Sequence, residues 1–496
     1  MFTNYICCFY LPITFCHPVK NDPAAYNELP ALCTQCMFGT SGIRGPVGDV
    51  VTADLALDVG RAVAADTRTV VVGRDARTTG AVLADALSAG LRECGTDVIR
   101  LGVVSTPTLA RSVEWFDADA GVGITASHNP APDNGIKLWT RSGQSFPPDR
   151  TADIEDRLAS DVVDHAAWDD FGTETAAADD PSQRHVDRLA DVFDPNADRP
   201  LTDLSVVVDL GNGTGRATVD ALYELGATVH TLDGQRDGRF PARKSEPNAE
   251  TLTTLAAAVP ALDADVGIAH DGDSDRMMAV TGGGEFVPGD LLLALFARDA
   301  VERAMTNAEF ADTAPHVAVP VDTSLVVADA VTGAGGDVEY TPVGDVHVAE
   351  AASDEALVFG GEPSGAWIWP GETLAPDGHH AALSLAVLVQ QRGPLAALVD
   401  SLPAEQFTTR RANVEVDDRA ESMTAIESVF RDRFEEIDTI DGLRVETDEG
   451  WFLVRPSGTE PLVRVTAEAR EESHADELLE LALEVVNAES VGPADA

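Results

Sequence analysis

The stretch Gly123-Ile124-Thr125-Ala126-Ser127-His128-Asn129-Pro130 follows a short apolar run and ends in Asn-Pro. That pair halts regular structure, so Ser127 is expected at a strand-to-loop edge, where α/β proteins hold reactive groups. Farther along, Asp271, Asp273 and Asp275 alternate with small residues in Asp271-Gly272-Asp273-Ser274-Asp275-Arg276. If the loop curls, the three carboxylates converge on one hard divalent cation, and a small oxygen-only ligand set favours Mg2+. The downstream Gly and Glu of an EF-hand are not at the required spacing. Lysine occurs only as Lys20, Lys137 and Lys244, and Lys137 stands just after the serine loop. A compact ammonium there can neutralise a phosphate or, once desolvated, move protons.

Three more loops could hold anions or sugars. Phe38-Gly39-Thr40-Ser41-Gly42-Ile43-Arg44-Gly45 can bring backbone N–H groups and a guanidinium to an anion. Glu362 and Ser364, on the Gly-flanked loop Gly360–Gly365, can accept from and donate to sugar hydroxyls. Arg455-Pro456-Ser457-Gly458-Thr459-Glu460-Pro461 offers a guanidinium fork, two hydroxyls and exposed N–H groups, an anion cradle. Taken singly, each is also readable as a Gly-rich turn, and the Asp triplet as an acidic turn in an acidic protein.

The elements that must position these loops alternate. Helix patterns near Leu55–Ala65 and Gly80–Glu93 separate strands at Thr69–Gly73, Asp97–Leu101 and Asp119–Ile124. This alternation indicates βαβ units around a mainly parallel sheet. Residues 151–200 read as an acidic, Ala- and Pro-rich linker. Strands at Ser205–Leu210 and Asp265–His270 open a second unit, and His316–Val321 and Leu357–Phe359 a third. Trp451–Val454 and Leu462–Glu468 belong to a fourth, closed by an amphipathic helix over Glu471–Asn487. Gly211-Asn212-Gly213-Thr214-Gly215 after a strand is the one dinucleotide-like turn. Its glycines are spaced GxGxG, with Arg216 where the fingerprint wants Gly or Ala.

The 496 residues carry 84 acidic against 34 basic side chains, a formal charge of −50. The excess is spread along the chain and would repel itself in dilute buffer. At ~1 M salt the Debye length falls to ~3 Å and the repulsion is screened. The charge points to a salt-rich cytoplasm and excludes nucleic-acid binding, which needs basic stripes. No apolar run reaches the ~20 residues of a membrane helix. Cys7, Cys8, Cys16, Cys33 and Cys36 all precede Met37, leaving Cys94 alone after it, which does not fit a disulfide-built secreted protein. The first 36 residues lack the later acidic bias and any secretory pattern, so the native start is expected at Met37, with residues 1–36 a non-native or disordered extension.

Five motifs in order, from Phe38 to near the C-terminus, make the chain resemble the α-D-phosphohexomutase family: FGTSGIRG, TASHNP, DGDSDR, GEPSG and RPSGTEP. The resemblance implies four domains round a central cleft, three of them α/β with mixed sheets and a smaller α+β C-terminal one. Boundaries are expected at 37–199 (phosphoserine), 200–300 (metal), 301–404 (sugar) and 405–496 (phosphate). It further implies that Ser127 is phosphorylated, primed by a hexose bisphosphate or a kinase-like event. One Mg2+ would be held by Asp271, Asp273, Asp275 and the Ser127 phosphate, with Arg276 alongside. Ser41, Arg44, His128 and Lys137 would line the catalytic end, with Lys137 a candidate for proton transfer. Glu362 and Ser364 would read sugar hydroxyls, and Arg455, Ser457, Gly458 and Thr459 would hold the phosphate that is not reacting. His128 is no triad partner, since adjacent side chains diverge and no Asp orienter is evident.

Val343-Gly344-Asp345 looks like the phosphoglucosamine mutase branch, whereas the phosphomannomutase/phosphoglucomutase branch often has His at that turn and another after GExSG. Here Asp345 and Ala366 occupy those places, which weakens a His acid/base, and Pro342 stands where many relatives have Lys. The expected substrate is a phosphohexose, the protein a monomer or homodimer. The alternatives are a phosphomannomutase/phosphoglucomutase, a Ser/Mg2+ phosphatase, an oxidoreductase built on Gly211–Gly215, and a non-catalytic sugar-phosphate sensor.

Overall fold

Apolar strands, each running into a polar loop, organise the chain. The computed structural model describes residues 38–39, 42–160, 162–307, 310, 313–352, 354, 356–403, 407–416, 418–434, 436–457 and 462–490. These fall into two compact units that divide near residue 404. The expected extension 1–36, together with Ser41, Gly458 and Thr459, lies outside the described residues.

The larger unit begins with β1 (Ile43–Pro46), α1 (Ala53–Ala64), β2 (Thr69–Arg74), α2 (Gly80–Glu93), β3 (Asp97–Val103), α3 (Thr106–Trp115), β4 (Ala120–Ile124), β5 (Asp133–Trp139), α4 (Pro148–Ser160), β6 (Glu174–Ala176) and α5 (Pro181–Phe193). The strands lie in the order β1-β5-β4-β2-β3-β6. β4, β2, β3 and β6 are parallel, and β5 runs antiparallel to both its neighbours. β2 and β4 are near-continuous apolar runs because helices cover both faces of the sheet. Helices α1 and α2 touch through glycine: a Cβ at Gly60 would meet the Leu87 carbonyl oxygen at 2.3 Å, and one at Gly90 the Leu57 oxygen at 2.1 Å.

Two features depart from the linear reading. Residues 151–200 are not a plain linker, since they hold the end of α4, β6 and α5. Asp180 caps α5 by accepting from the Ser182 and Gln183 amides, so one of the acidic residues that suggested a linker starts a helix. Helix α3 has no counterpart in the sequence reading; it opens at Ser105-Thr106-Pro107, where Pro is tolerated in a first turn and Ser105 is the cap.

The next two sheets repeat the α/β plan. β7 (Ser205–Asp209), α6 (Arg216–Glu224), β8 (Thr228–Leu232), α7 (Thr253–Ala261), β9 (Val266–His270) and β10 (Met277–Thr281) give the order β10-β9-β7-β8. α8 (Gly289–Ala304), β11 (His316–Pro320), α9 (Leu325–Gly333), β12 (Asp337–Thr341), α10 (Asp345–Ala351), β13 (Leu357–Gly361), β14 (Trp367–Ile368), α11 (Gly378–Arg392) and α12 (Leu395–Asp400) follow, with the order β12-β11-β13-β14. Each sheet is mixed, with one antiparallel pair, β10 on β9 and β14 on β13.

The smaller unit is an antiparallel sheet, β15 (Thr408–Glu415), β18 (Leu462–Ala469), β17 (Gly450–Pro456) and β16 (Leu443–Glu446), with α13 (Arg419–Arg433) and α14 (Glu472–Ser490). Its core packs Ile426 and Phe430 of α13 and Ala475, Ala482 and Val486 of α14 on the inward side chains of the sheet. Among the described residues no helix is long and apolar enough to cross a membrane.

Candidate active site

β4, an interior strand, delivers Thr125-Ala126-Ser127 just past its C-terminal end, and Ser127 takes φ +48°, a left-handed value unfavourable for a side-chain-bearing residue. Arg77 holds the loop in that shape. Its Nη2 donates to the carbonyls of Ser127 (2.8 Å) and Asn129 (2.7 Å), and its Nη1 to those of Pro130 (2.6 Å) and Asp133 (2.8 Å). Asp75 pairs with Arg77 Nε at 3.0 Å, both side chains fully buried. Burial pushes the Asp75 carboxyl up to about 6, against the pull of Arg77. Ser245 Oγ donates to the Ser127 carbonyl as well (3.0 Å).

The Ser127 hydroxyl faces the acidic loop between β9 and β10, donating to Asp271 Oδ2 at 2.5 Å with Asp275 Oδ1 at 3.1 Å. Asp273 Oδ2 accepts from Thr106 Oγ1 (2.6 Å) and Thr125 Oγ1 (2.9 Å). The buried Lys137 donates to Asp275 Oδ2 at 2.6 Å and lies 3.4 Å from Asp273 Oδ2. Burial works against the charge on Lys137, but Asp273 and Asp275 outweigh it and its pKa is raised. Burial also lifts Asp271 well above the usual carboxylate range, with Asp275 and Asp273 adding to it. Asp273 is held low: burial opposes, but Lys137 and the Thr106 hydroxyl dominate.

One carboxylate oxygen from each of Asp271, Asp273 and Asp275 lies within 4.8 Å of the others. Asp273 Oδ1 is buried without a hydrogen-bond partner. Three crowded carboxylates, one lifted by burial and by its two neighbours and one with an unanswered oxygen, form an oxygen-only set that fits a hard divalent cation such as Mg2+.

The remaining catalytic-end residues surround this cluster. Arg44 on β1 pairs in register with Gly135 of β5, and burial, partly offset by Asp275 and Asp273, lowers its pKa. Burial, then Arg276, Arg44 and Lys137, push His128 down to about 2, so it is neutral; its Nδ1 is buried without a partner. Arg276 bridges Ala366, which ties the acidic loop to the Glu362–Ser364 turn, and Trp367 Nε1 donates to the Met277 carbonyl at 2.8 Å. Glu362 accepts from the Gly344 amide (2.8 Å) and from Ser364 Oγ (3.0 Å). Burial and then Asp345 raise Glu362 to about 7, and burial raises Asp345 too.

The larger unit thus brings together Arg44, Ser127, His128, Lys137, the three aspartates and Arg276, with Glu362 and Ser364 joined to them through the Arg276–Ala366 bridge. Arg455 and Ser457 belong to the smaller unit, where Arg455 pairs with Asp441 at 3.3 Å and the Ser457 amide donates to the Leu462 carbonyl at 2.9 Å. Sequence reasoning missed Asp75, Arg77, Thr106 and Ser245. Asp75 and Arg77 lie in the charged stretch Gly73-Arg74-Asp75-Ala76-Arg77, and nothing in its spacing tells that Arg77 turns under the serine loop.

Successive stretches of the chain match four family descriptions: phosphoglucomutase/phosphomannomutase alpha/beta/alpha domain I over residues 35–162, domain II over 183–284, domain III over 288–405, and the C-terminal domain over 412–485. The chain belongs to the phosphoglucomutase/phosphomannomutase family. Its four-domain architecture follows, three α/β domains with mixed sheets and a smaller C-terminal domain. Relatives named "Probable phosphoglucosamine mutase" include one from Methanopyrus kandleri, 43% identical over 455 residues, covering 90% of this chain and 97% of that one. Another, from Methanococcoides burtonii, is 43% identical over 453 residues, covering 91% and 98%. Among solved structures, a phosphoglucomutase/phosphomannomutase family protein from Burkholderia thailandensis superposes with a TM-score of 0.79 at 28% identity, covering 91% of this chain and 98% of that one. The N-acetylphosphoglucosamine mutase of Aspergillus fumigatus, solved with GlcNAc-6P and magnesium, shares the fold at 17% identity and a TM-score of 0.57, covering 92% and 96%.

Proposed function

We propose that this protein is a phosphohexomutase that moves phosphate between C6 and C1 of a hexose through a phosphoserine at Ser127 and a bisphosphate intermediate, with glucosamine 6-phosphate and glucosamine 1-phosphate as its preferred pair. The observation that carries the reading is the Ser127 hydroxyl, fixed by the Arg77 clamp and aimed at Asp271 and Asp275. The phosphoserine, primed by a hexose bisphosphate or a kinase-like event, gives its phosphoryl group to the free hydroxyl of a bound hexose monophosphate. The bond from phosphorus to Ser127 Oγ breaks as the bond to the sugar oxygen forms. The sugar hydroxyl's proton is balanced by the one gained at Ser127 Oγ: Lys137, kept as an ammonium by Asp273 and Asp275, is the candidate to give its proton to the leaving Ser127 Oγ and to be restored by the proton the sugar hydroxyl loses. The bisphosphate then turns over and its other phosphate returns to Ser127. One Mg2+ held by Asp271, Asp273, Asp275 and the Ser127 phosphate supplies neutralising charge.

Arg455, Ser457, Gly458 and Thr459 hold the phosphate that is not reacting, and Ser41 and Arg44 line the catalytic end. The proposed domains are residues 37–199, 200–300, 301–404 and 405–496. The acidic composition supports a salt-rich cytoplasm.

The choice of hexose rests on Asp345 and Glu362. Glu362 is buried and Asp345 half-buried, burial raises both, and the Asp345 charge adds to the rise at Glu362. A 2-ammonium group near the pair relieves that repulsion, and a 2-hydroxyl does not. Assays with glucosamine, glucose and mannose 6-phosphates in molar KCl test this. Glucosamine 6-phosphate is expected to exceed the others in kcat/KM by about tenfold or more, the scale on which a matched polar group discriminates. Equal or higher values with mannose or glucose replace the reading with a phosphomannomutase/phosphoglucomutase. Free phosphate without isomerised sugar replaces it with a phosphatase.

A further inference from the structure

Beneath the acidic loop runs a buried hydrogen-bond chain that the proposed reaction does not use. It starts at Asp377 Oδ2, which faces His185 Nε2 at 3.2 Å, and His185 Nδ1 meets Thr108 Oγ1 at 2.9 Å. Thr108 Oγ1 meets Ser105 Oγ at 2.7 Å, and Ser105 Oγ meets His379 Nε2 at 2.9 Å. His379 Nδ1 and His270 Nε2 both lie 2.8 Å from Thr218 Oγ1, and His270 Nδ1 reaches the Arg276 carbonyl at 3.0 Å. Ser105 is 3% exposed, and the other five linking side chains and Asp377 are at or below 1%. The chain joins α3, α5, α6, β9 and α11, elements of three different domains.

Its far end grips the loop that carries the aspartates. His270 is the residue before Asp271, and Arg276 the residue after Asp275, so the imidazole ties the two ends of that loop together. A second contact presses on the same backbone: a Cβ at Gly378 would lie 2.7 Å from the carbonyl oxygens of both Ser274 and Arg276. Gly378 opens α11, and Asp377 caps that helix by accepting from the His379 and His380 amides at 3.0 Å each. A carbonyl and a carboxylate can only accept, so the ends fix the polarity. His270 carries its proton on Nδ1 and His185 on Nε2. Three imidazoles and three hydroxyls bring six mobile protons to seven bonds, so one bond goes unmade while all three histidines are neutral.

We propose that Asp377, His379 and Thr218 are positioning residues that hold the Asp271–Asp275 loop in its cation-binding shape through His270. The inference rests on the metal reading above and adds residues that touch neither the cation nor the sugar. Calorimetric titration of Mg2+ into the full-length protein, with nitrogen NMR of labelled histidines, tests it. Thr218→Val removes the hydroxyl that joins His379 to His270 at nearly constant shape and is expected to weaken Mg2+ binding about tenfold or more, within the range such outer partners carry. kcat should fall while KM for the phosphosugar stays within about twofold. Thr218→Ser, which keeps the hydroxyl, should bind Mg2+ as the wild type does. Ser105→Ala, two links farther out beyond His379, should give a smaller loss in the same direction and serves if Thr218→Val does not fold. Wild-type binding by both hydroxyl-deleted variants overturns the proposal, as does a His270 protonated on Nε2 alone. A wild-type protein that binds no Mg2+ overturns the metal reading itself, a result distinguishable from a chain that does not matter.

Discussion

Arg77→Met is the perturbation whose cost the structure specifies most fully. It deletes a guanidinium that serves four carbonyls of the serine loop and leaves Asp75, fully buried, without its partner. Breaking a buried pair from one side costs about 3–5 kcal/mol, mostly through the stranded charge. Each abandoned carbonyl adds about 1 kcal/mol or more unless water reaches it. Against a total stability of roughly 5–15 kcal/mol this is a large fraction. Arg77→Lys keeps the charge but has three donors for five acceptors, and is expected to lose about half as much. Adding Asp75→Asn to Arg77→Met removes the stranded charge, so the double variant should be more stable than the single one. Urea denaturation at fixed molar KCl, with the slope checked for constancy, measures all three. A loss below about 1 kcal/mol in Arg77→Met, or a double variant less stable than the single, refutes the clamp. Because Ser127 holds an unfavourable φ worth roughly 1–3 kcal/mol, kcat should fall in Arg77→Lys even where the protein stays folded.

Three further outcomes are expected. Glu362 is raised from 4.5 to about 7, chiefly by burial and then by Asp345, so the folded protein holds its proton more tightly than the unfolded chain. Its contribution to stability is full below about pH 4.5 and is lost as pH rises through 7, about 3 kcal/mol in all, and Glu362→Gln should flatten that slope in pH-dependent denaturation. Asp273→Asn should abolish both Mg2+ binding by calorimetry and turnover, and an active, Mg2+-stimulated variant would contradict the ligand assignment. With a formal charge of −50, the melting temperature should climb steeply between dilute buffer and ~1 M KCl, and a flat profile would remove the salt-rich reading.

Much of the fold was legible in the chain because apolar runs such as Val70–Val72 and Val206–Val208 are buried on both faces, and such strands announce themselves. The Asp271–Asp275 triplet and Ser127 were legible because short polar motifs ended those runs. Helix α3 and the helices of residues 148–193 were not, since local composition there favours turns and only packing on the sheet decides otherwise. The Arg77 clamp and the Asp377–His270 chain stayed hidden for a different reason. Arg77 lies 50 residues from Ser127, and Asp377 192 residues from His185. No period or spacing links such partners, and only the folded backbone brings a guanidinium under four carbonyls.

The account stands on Ser127 lending and recovering a phosphoryl group. Protein phosphorylated with radiolabel at Ser127, mixed with unlabelled glucosamine 6-phosphate in molar KCl, gives the most direct measurement. The label is expected to leave Ser127, appear first in a hexose bisphosphate and then in hexose monophosphate, with Ser127→Ala unable to take up label at all. Label that stays on the protein while sugar isomerises, or that emerges only as free phosphate, would contradict the account.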